Sequence, residues 1–431
     1  MELTVLLGTL FVLLAIGVPV AFALGVSSVA TFFLLDIPLV VPFQRMAAGM
    51  NVFALMAIPF FIFAGDLMHR AGIAERLIRL ADAALGRTRG GLGQVDVGAS
   101  MLFGAVSGSA IASVSAIGSA LGPMMREKGY DADYVVNVSA SSAITGLLIP
   151  PSHNMIIYAA AAGVSISLAD LFLAGIVPGI LTGLSLMVAA WAVAVRRGYP
   201  RGTFPGFRAF ALAVVAAIPG LIAALIIVLG VLSGVFTATE SSSIAVIYTI
   251  AVALLVYRSL TWELFVLATT AAVRTTAMVM IIIGAAAAFG WLLAILQVPE
   301  QLAQLLLGIT ENPLLLLLLI NVVLLILGTF MDMAPLIIIT TPIFLPMATG
   351  LGMDPVHFGI VLILNLGIGL VTPPVGSVLF VGCAIGGISI EQTVRTMWPF
   401  YLALLVALGL VTYIPAVSLW IPGLAAAAAI R

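Results

Sequence analysis

Gly104-Ala105-Val106-Ser107-Gly108-Ser109-Ala110 and Thr145-Gly146-Leu147-Leu148-Ile149-Pro150-Pro151-Ser152-His153-Asn154 are the two ends of the stretch on which the reading of this chain turns. Each end interrupts an apolar run with small, hydroxyl-bearing or helix-breaking residues. The stretch recurs. Pro123 has its counterpart at Pro346, Gly129 at Gly352, Asp131 at Asp354 and Gly146 at Gly369. Pro150-Pro151 returns as Pro373-Pro374, all at one offset of 223 residues and without a gap. In the same register Ser109 falls on Asp332. Two copies of an interrupted apolar unit are the sequence sign of a secondary transporter, whose sites form where paired helices break near mid-membrane.

Composition sets the solvent. Of 431 residues, 63% are apolar and 8% charged, against about 25% charged in an ordinary soluble domain. Lipid contact excludes charge, so the chain belongs in a bilayer. Runs of about 20 apolar residues count as spans, and roughly ten are present beside two regions of paired half-spans. The net charge of −1 gives no footprint for nucleic acid. The single cysteine, Cys383, excludes an intramolecular disulfide and a cysteine metal cluster, and reads as core. Residues 1–20 lack a basic leader and read as a span rather than a cleaved signal. The single lysine, Lys128, is followed by Gly129-Tyr130 rather than Ser or Thr, so no Walker A loop is present. Energy for transport must then come from an ion gradient or another subunit.

The fold class expected is an all-α polytopic membrane protein built of two inverted repeats, each with a re-entrant helical hairpin and a proline-broken helix. The first repeat covers residues 1–197, a cytoplasmic linker 198–208, and the second repeat 209–431. In the first, spans at 3–20, 21–36 and 51–69 precede an amphipathic segment at 72–89, where charged residues alternate with apolar ones as in an interfacial helix. A hairpin follows at 91–127 with its tip near Ser107-Gly108-Ser109, then a broken helix at 131–163 and a span at 168–195. Irregular backbone at that depth requires a protein-lined or wet setting. The second repeat has spans at 210–232, 240–257 and 265–298, an interfacial helix at 299–309 and a hairpin at 313–350 with its tip between Gly328 and Pro335. A broken helix at 354–386 and a last span near 397–421 complete it.

Loop charge orients the chain. Thirteen basic residues, from Arg70 to Arg395, fall on one side, and Arg45 and Arg431 on the other, with Arg274 inside a span. Such an excess marks the cytoplasmic face. The first hairpin then enters from the cytoplasm and the second, with Glu311 and Asp354 at its feet, from outside. The inversion follows from charge alone.

A proline in a helix leaves the carbonyl four residues earlier without its donor. The two double prolines therefore free the carbonyls of Gly146 and Leu147 and of Gly369 and Leu370. Neutral oxygen cages of this kind suit sodium, whereas magnesium and calcium usually recruit carboxylates. The first sodium site is expected at Ser107, Ser109, Thr145, Gly146, Leu147 and Asn154, with Ser142 and Ser152 as further hydroxyls nearby. The second is expected at Gly328, Thr329, Asp332, Gly369 and Thr372, with Asn365 and Ser377 nearby. Helix N-termini at the tips attract an anion. An anionic substrate is therefore placed between them, against Ser109, Ala110, Ser152, Asp332, Met333, Pro374 and Gly376. Taken singly, Gly-Ser tips are packing motifs and double prolines are kinks; it is their recurrence at matched distances that points to function. Asp332, an acid at membrane depth, is a functional candidate by default. Glu240 reads as a helix cap and Asp66 and Asp96 as interfacial residues; for His153, the one histidine in a break, a packing role is weighed above lining the cavity. No histidine has metal-ligand spacing.

At these residues the chain resembles the large membrane subunit of tripartite ATP-independent periplasmic (TRAP) transporters, the DctM type. The likeness rests on Ile58-Pro59-Phe60-Phe61-Ile62-Phe63-Ala64-Gly65-Asp66, the stretch from Ser107 to Tyr130, Ile149-Pro150-Pro151-Ser152, Thr237 to Glu240, and Thr372-Pro373-Pro374-Val375-Gly376. It departs from the usual pattern at Ala238, where a proline is common, and at His153, where an apolar residue is common. The resemblance implies an elevator-type sodium symporter in the bacterial inner membrane for an organic anion, such as a C4-dicarboxylate or sugar acid. It also implies a small four-helix membrane subunit of the DctQ type and a periplasmic binding protein of the DctP type as partners, with bound sodium ions and no organic cofactor. A proton-coupled or exchange carrier of the same architecture is the alternative, with Asp332 or His153 as proton site. An intramembrane enzyme would need a base or a second acid beside Asp332, and none is apparent. A channel is set against the expectation of saturable uptake that depends on the binding protein.

Overall fold

The computed structural model describes residues 1–429, so Arg431, one of the two basic residues assigned to the outer side, lies outside the described residues. Every regular element described is helical. α1 (Glu2–Ala15) and α2 (Val20–Leu34) are separated by a turn at Gly17 and Pro19, which confirms two short helices in place of one long one. α3 (Val40–Met50) follows, then a single 3-10 turn and α4 (Ala57–Arg70). α3 has no counterpart among the expected elements. The amphipathic segment forms α5 (Ile73–Leu85), which buries Ile73, Leu77, Ile78 and Ala81 on one face.

The first hairpin consists of α6 (Gly91–Ser107) and a returning run of α7 (Ala110–Ser113), a π turn (Val114–Gly118) and α8 (Ser119–Glu127). Gly108 closes α6 at φ 62°, a left-handed conformation that glycine adopts without steric cost. Ser109 caps the returning helix by accepting from the Ala112 N–H at 3.3 Å. The broken helix is α9 (Ala132–Ala143) with α10 (Thr145–Leu148), then α11 (His153–Ala161) at 53° beyond the Pro150-Pro151 break. α12 (Leu168–Arg196) completes this half.

The second half runs through α13 (Phe207–Leu232), α14 (Ala238–Ala251) with a π turn (Val252–Val256), α15 (Trp262–Ile295) and α16 (Val298–Leu307). α17 (Pro313–Phe330) and α18 (Met333–Gly350) form its hairpin, α19 (Pro355–Gly369) and α20 (Ser377–Gly386) its broken helix. α21 (Ile390–Thr396), α22 (Trp398–Tyr413) and α23 (Pro415–Ala429) close the chain. The last span is bent by 56° ahead of Pro415 rather than continuous. Among the described residues seven helices are long and apolar enough to cross a membrane, or up to ten with each bent pair taken as one. At the 223-residue offset α18 covers the same positions as the run from Ala110 to Glu127. α15 covers both α3 and α4 as one helix of 34 residues.

Two bodies of packing position the site. In one, α15 lies along α2, α3 and α4. Phe32 stacks on Trp291 at 5.3 Å, and the Arg45 guanidinium sits 4.6 Å over the same indole. In the other, the hairpins and broken helices of both halves interlock. Tyr158 of α11 donates to the Pro355 carbonyl at 2.6 Å, Asn137 of α9 donates to Thr396 at 2.8 Å, and Arg126 of α8 donates to the Gly386 carbonyl. Thr237 and Glu240 form a reciprocal capping box at the start of α14, so Glu240 is a cap.

Candidate functional site

Each broken helix meets its hairpin through glycine. A Cβ on Gly104 of α6 would lie 2.1 Å from the Gly146 Cα. One on Gly369 would lie 2.5 Å from the Gly328 carbonyl carbon. Only backbone against backbone allows this approach, and it brings hairpin tip and proline break into one cluster in both halves.

The two breaks differ in their carbonyls. Among the described residues no donor reaches the carbonyls of Gly146 and Leu147; the returning Ile149 N–H goes to Thr145 instead. Gly146 and Leu147 thus present two unpaired oxygens, as the double proline predicts. At the second break the expectation fails. The Gly369 carbonyl accepts from Thr372 N–H at 3.0 Å, and the Leu370 carbonyl accepts from the N–H groups of Val378 and Leu379 at 3.0 and 3.3 Å. The chain after Pro373-Pro374 curls back over its own break, with Gly376 in the left-handed region at φ 38°. Thr329 contributes its carbonyl to Val375 N–H at 3.1 Å.

A cavity of about 360 Å³ lies between the two bodies. Its walls bring together Ser107, Ser109, Ala110, Leu147 and Asn154 from the first tip and break, and Asp332 and Met333 from the second tip. Of the expected residues, Thr145, Gly146, Ser152, Gly328, Thr329, Gly369, Thr372, Pro374 and Gly376 do not line it. His153 is on the wall, as are Asp66 and His69 of α4 and Thr275 and Val279 of α15, which sequence reasoning did not place there. Asp66 is held by Arg70 Nε at 2.6 Å. Asp332 starts α18 with its carboxylate exposed to the cavity and its side chain free of capping bonds.

Other hydroxyls have settled partners. Thr145 donates to the Ser142 carbonyl at 2.6 Å, Thr329 to Ile326 at 2.8 Å and Thr372 to Ile368 at 2.8 Å. Ser142 is not a break ligand, because its hydroxyl turns the other way and donates to Asp96 at 2.8 Å. Asn365 donates to Asn321 at 2.7 Å. The buried hydroxyls of Ser152 and Ser377, one in each break, have no partner among the described residues. Buried polar atoms are nearly always satisfied, so an unpaired hydroxyl beside unpaired carbonyls fits an oxygen-seeking cation at the first break. The second break offers Ser377 and the Asp332 charge in place of open carbonyls. Asp96, read from sequence as interfacial, is fully buried.

A membrane permease with two matched tip-and-break units around one central cavity is the class these features define. The chain matches the family described as tripartite ATP-independent periplasmic transporter, DctM component, over residues 7–417, and it belongs to that family. It is 43% identical over 423 residues to the uncharacterized protein YgiK of Salmonella typhimurium, covering 97% of each chain. It is 41% identical over 370 residues to a C4-dicarboxylate TRAP transporter large permease protein of Pseudomonas aeruginosa, covering 86% of each. It is 38% identical over 414 residues to a sialic acid TRAP transporter large permease protein of Vibrio cholerae, covering 96% of each. The fold is shared with the YdaH transporter of Alcanivorax borkumensis, at a TM-score of 0.59 and 16% identity over 88% of each chain. The chain is therefore the large, multi-pass inner-membrane permease of a three-part transporter and not an enzyme. Its two partners are a small membrane subunit and a periplasmic binding protein.

Proposed function

We propose that this permease imports an organic anion, a carboxylate of the C4-dicarboxylate or sugar-acid class, driven by sodium and by an elevator movement of its interlocked hairpins. The observation that carries the reading is the pairing of tip and break in both halves around one cavity. The unpaired carbonyls of Gly146 and Leu147 supply neutral oxygens, and the half-helix ends beside them supply partial negative charge. Asp332 supplies a full charge at the other tip. Sodium held at these two points offsets that charge and leaves the N-termini of the returning helices, at Ala110 and Met333, free to attract a carboxylate. The relatives' names support an organic-acid substrate. Helices that interlock across the two halves support movement as one body, with the α2–α4 and α15 layer as scaffold and the halves inverted as loop charge requires. Sodium binding and substrate binding are then linked, and each strengthens the other by the same factor.

The deciding experiment is uptake into proteoliposomes holding this chain and its small subunit, with the matched binding protein outside. An inward sodium gradient is compared with choline, for the unaltered chain and for Ser109→Ala and Asp332→Ala. The reading expects uptake that needs sodium and the binding protein and is weakened in both variants, more strongly in Asp332→Ala. Uptake that ignores sodium and follows a proton gradient would replace it with the proton-coupled alternative.

A further inference from the structure

One helical turn before the Gly146 and Gly369 carbonyls of the two breaks, the hairpin's first arm is pinned to the broken helix by a buried polar contact. In the second half this is an amide pair: Asn365 on α19 donates to the side chain and backbone carbonyl of Asn321 on α17, at 2.7 and 2.9 Å. Ser142 occupies the position of Asn365 at the common offset. Its partner on α6 is an acid. Asp96 accepts from Ser139 at 2.5 Å and from Ser142 at 2.8 Å, while Ser100 lies 3.5 Å from the carboxylate and 3.0 Å from the Ser142 hydroxyl. All four residues are buried, and Asp96, Ser100 and Ser142 have no exposure at all. The second half shows that neutral side chains suffice for the pin, so the acid adds something that pinning does not require.

No cation compensates Asp96. Among the described residues no lysine, arginine or histidine comes within ion-pair distance of it. Of the ionisable groups on the elements around α6, Tyr134 on α9 donates to the Ala190 carbonyl at 3.0 Å, and Asp133 is taken by Arg197 at 2.8 Å. On α4, Asp66 is taken by Arg70, and His69 stands edge-on to Phe103. On α5, Arg76 lies over Tyr257 and donates to Gly72, while Glu75, Arg79 and Asp82 form no ion pair. Arg126 on α8 is engaged by Gly386, and Glu127 follows it at the helix end. Asp170 and Arg196 lie at the ends of α12, and Arg208 at the start of α13. A buried carboxyl without a counter-charge is held by a proton or by a cation.

A cavity lies on the far side of its donor Ser139. This second cavity, of about 360 Å³, opens between α8, α9 and α20, lined by Pro123 and Arg126 as well as Ser139. Ser139 therefore borders this cavity and donates to the carboxylate. On this arrangement a proton would reach Asp96 Oδ2 when Ser139 Oγ takes one from a hydronium in the cavity, leaving water, as it hands its own to the carboxylate.

We propose that Asp96 is a proton site of the first half, reached from the cytoplasmic side through this cavity, and that its ionised form strengthens cation binding at the break one turn away. The second clause rests on the reading of Gly146 and Leu147 as cation ligands. Four residues of helix separate Ser142 from Gly146, about 6 Å of rise, well inside the range over which unit charges interact at low dielectric. The sign is set by that charge: sodium binds tighter as pH rises and Asp96 ionises, and bound sodium releases the proton.

Two measurements on the purified permease with its small subunit test this. The first is infrared titration of the protonated carboxyl stretch, with Asp96→Asn as the reference. A band that titrates over the pH range scanned and is lost in the variant is expected; no such band overturns the proton site. Ser139→Ala, which keeps the acid but removes a donor to its ionised form, is expected to move that midpoint to higher pH. It decides the matter if Asp96→Asn does not fold, because an unmoved midpoint excludes Asp96 as the titrating group. The second measurement is the thermal shift produced by sodium against choline across the same range. In the unaltered chain the apparent sodium affinity should rise about tenfold or more from low to high pH, and in Asp96→Asn it should stay at the low-pH value. Identical pH dependence in both proteins overturns the link between Asp96 and the break. A sodium effect absent from both at every pH would instead sink the sodium reading itself and the link with it, while the infrared result still decides the proton site.

Discussion

The first break keeps its oxygens open and the second folds over its own. Gly146 and Leu147 present carbonyls without donors, whereas Gly369 and Leu370 are covered by the N–H groups of Thr372, Val378 and Leu379. The same double proline at the same register has produced two different sites. The difference lies in the residues after the prolines: His153 starts a helix at once in the first half, but Gly376 at φ 38° turns the chain back in the second. Charge is distributed the opposite way. The covered break faces a tip with an acid, Asp332, and the open break faces a tip with a hydroxyl, Ser109. Backbone dipoles at one site and a carboxylate at the other are alternative means of holding a monovalent cation. The pins one turn away reverse this order, since the acid Asp96 sits beside the open break and an amide pair beside the covered one.

The largest effects should appear where glycine meets glycine, and they should be unequal. A methyl group on Gly104 would lie 2.1 Å from the Gly146 Cα and meet only backbone, which cannot move aside. On Gly328 it would meet the Gly369 Cα at 3.2 Å. We expect Gly104→Ala to lower stability by roughly 3 kcal/mol, at the upper end of overpacking costs, and Gly328→Ala by about 1 kcal/mol. Thermal unfolding of the purified complexes measures both. Equal losses would mean that the two contacts are not the distinct geometries described.

Next come the pins. Asn365 supplies both bonds to Asn321, so Asn365→Ala leaves buried acceptors unpaired and should cost about 2 kcal/mol. Ser142→Ala should cost only about 1 kcal/mol, because Asp96 keeps Ser139 and has Ser100 close by. A larger loss for Ser142→Ala would show that the three hydroxyls act as one network rather than as substitutes.

Much of this was legible in the sequence, and the reasons for the rest are local. The 223-residue offset, the hairpins and the breaks are written in prolines, glycines and apolar runs, whose effect on backbone is short-range. The offset also held the missed helix α3, since residues 263–273 lie within an obvious span; Pro42, Gln44 and Arg45 masked its first copy. The bend before α23 was signalled by Pro415. Two features were not readable. Closure of the second break depends on N–H groups that return from up to nine residues later, and a double proline alone says nothing of that. Asp96 looks interfacial beside Gln94 and Ser100, because its partners Ser139 and Ser142 lie 43 and 46 residues away. Proline reports on its own turn of helix, whereas a buried acid reports on whatever packs over it.

A smaller effect should separate the two proposed cation sites. Replacing Asp332 by Asn removes a charge that the covered break cannot replace with carbonyls. The carboxylate is exposed to cavity water, which moderates the loss; a rise of roughly tenfold in the sodium concentration for half-maximal uptake is expected. Ser109→Asn, which leaves Gly146 and Leu147 open, should raise it by only about threefold. Proteoliposome uptake against sodium concentration gives both numbers. A reversal, with Ser109 the more sensitive, would mean that the open carbonyls are not the main ligands of the first site.

The smallest effect concerns the residue that the two halves cannot share. His153 occupies the position of Gly376. A Cβ at Gly376 would meet the Thr372 carbonyl oxygen at 2.9 Å, and its φ of 38° disfavours any side chain. Only the first half can therefore extend a side chain from this point, and it extends an imidazole onto the cavity wall at the start of α11. There the helix N-terminus already favours an anion, so the ring adds one hydrogen-bond donor to a site that is attractive without it. His153→Leu keeps the bulk and removes that donor. Half-saturation by substrate should then rise about two- to threefold, the worth of one solvent-accessible hydrogen bond, with sodium dependence and thermal stability unchanged. A change in sodium dependence instead would place His153 with the oxygens of the first break. The asymmetry between the halves would then serve the cation rather than the substrate.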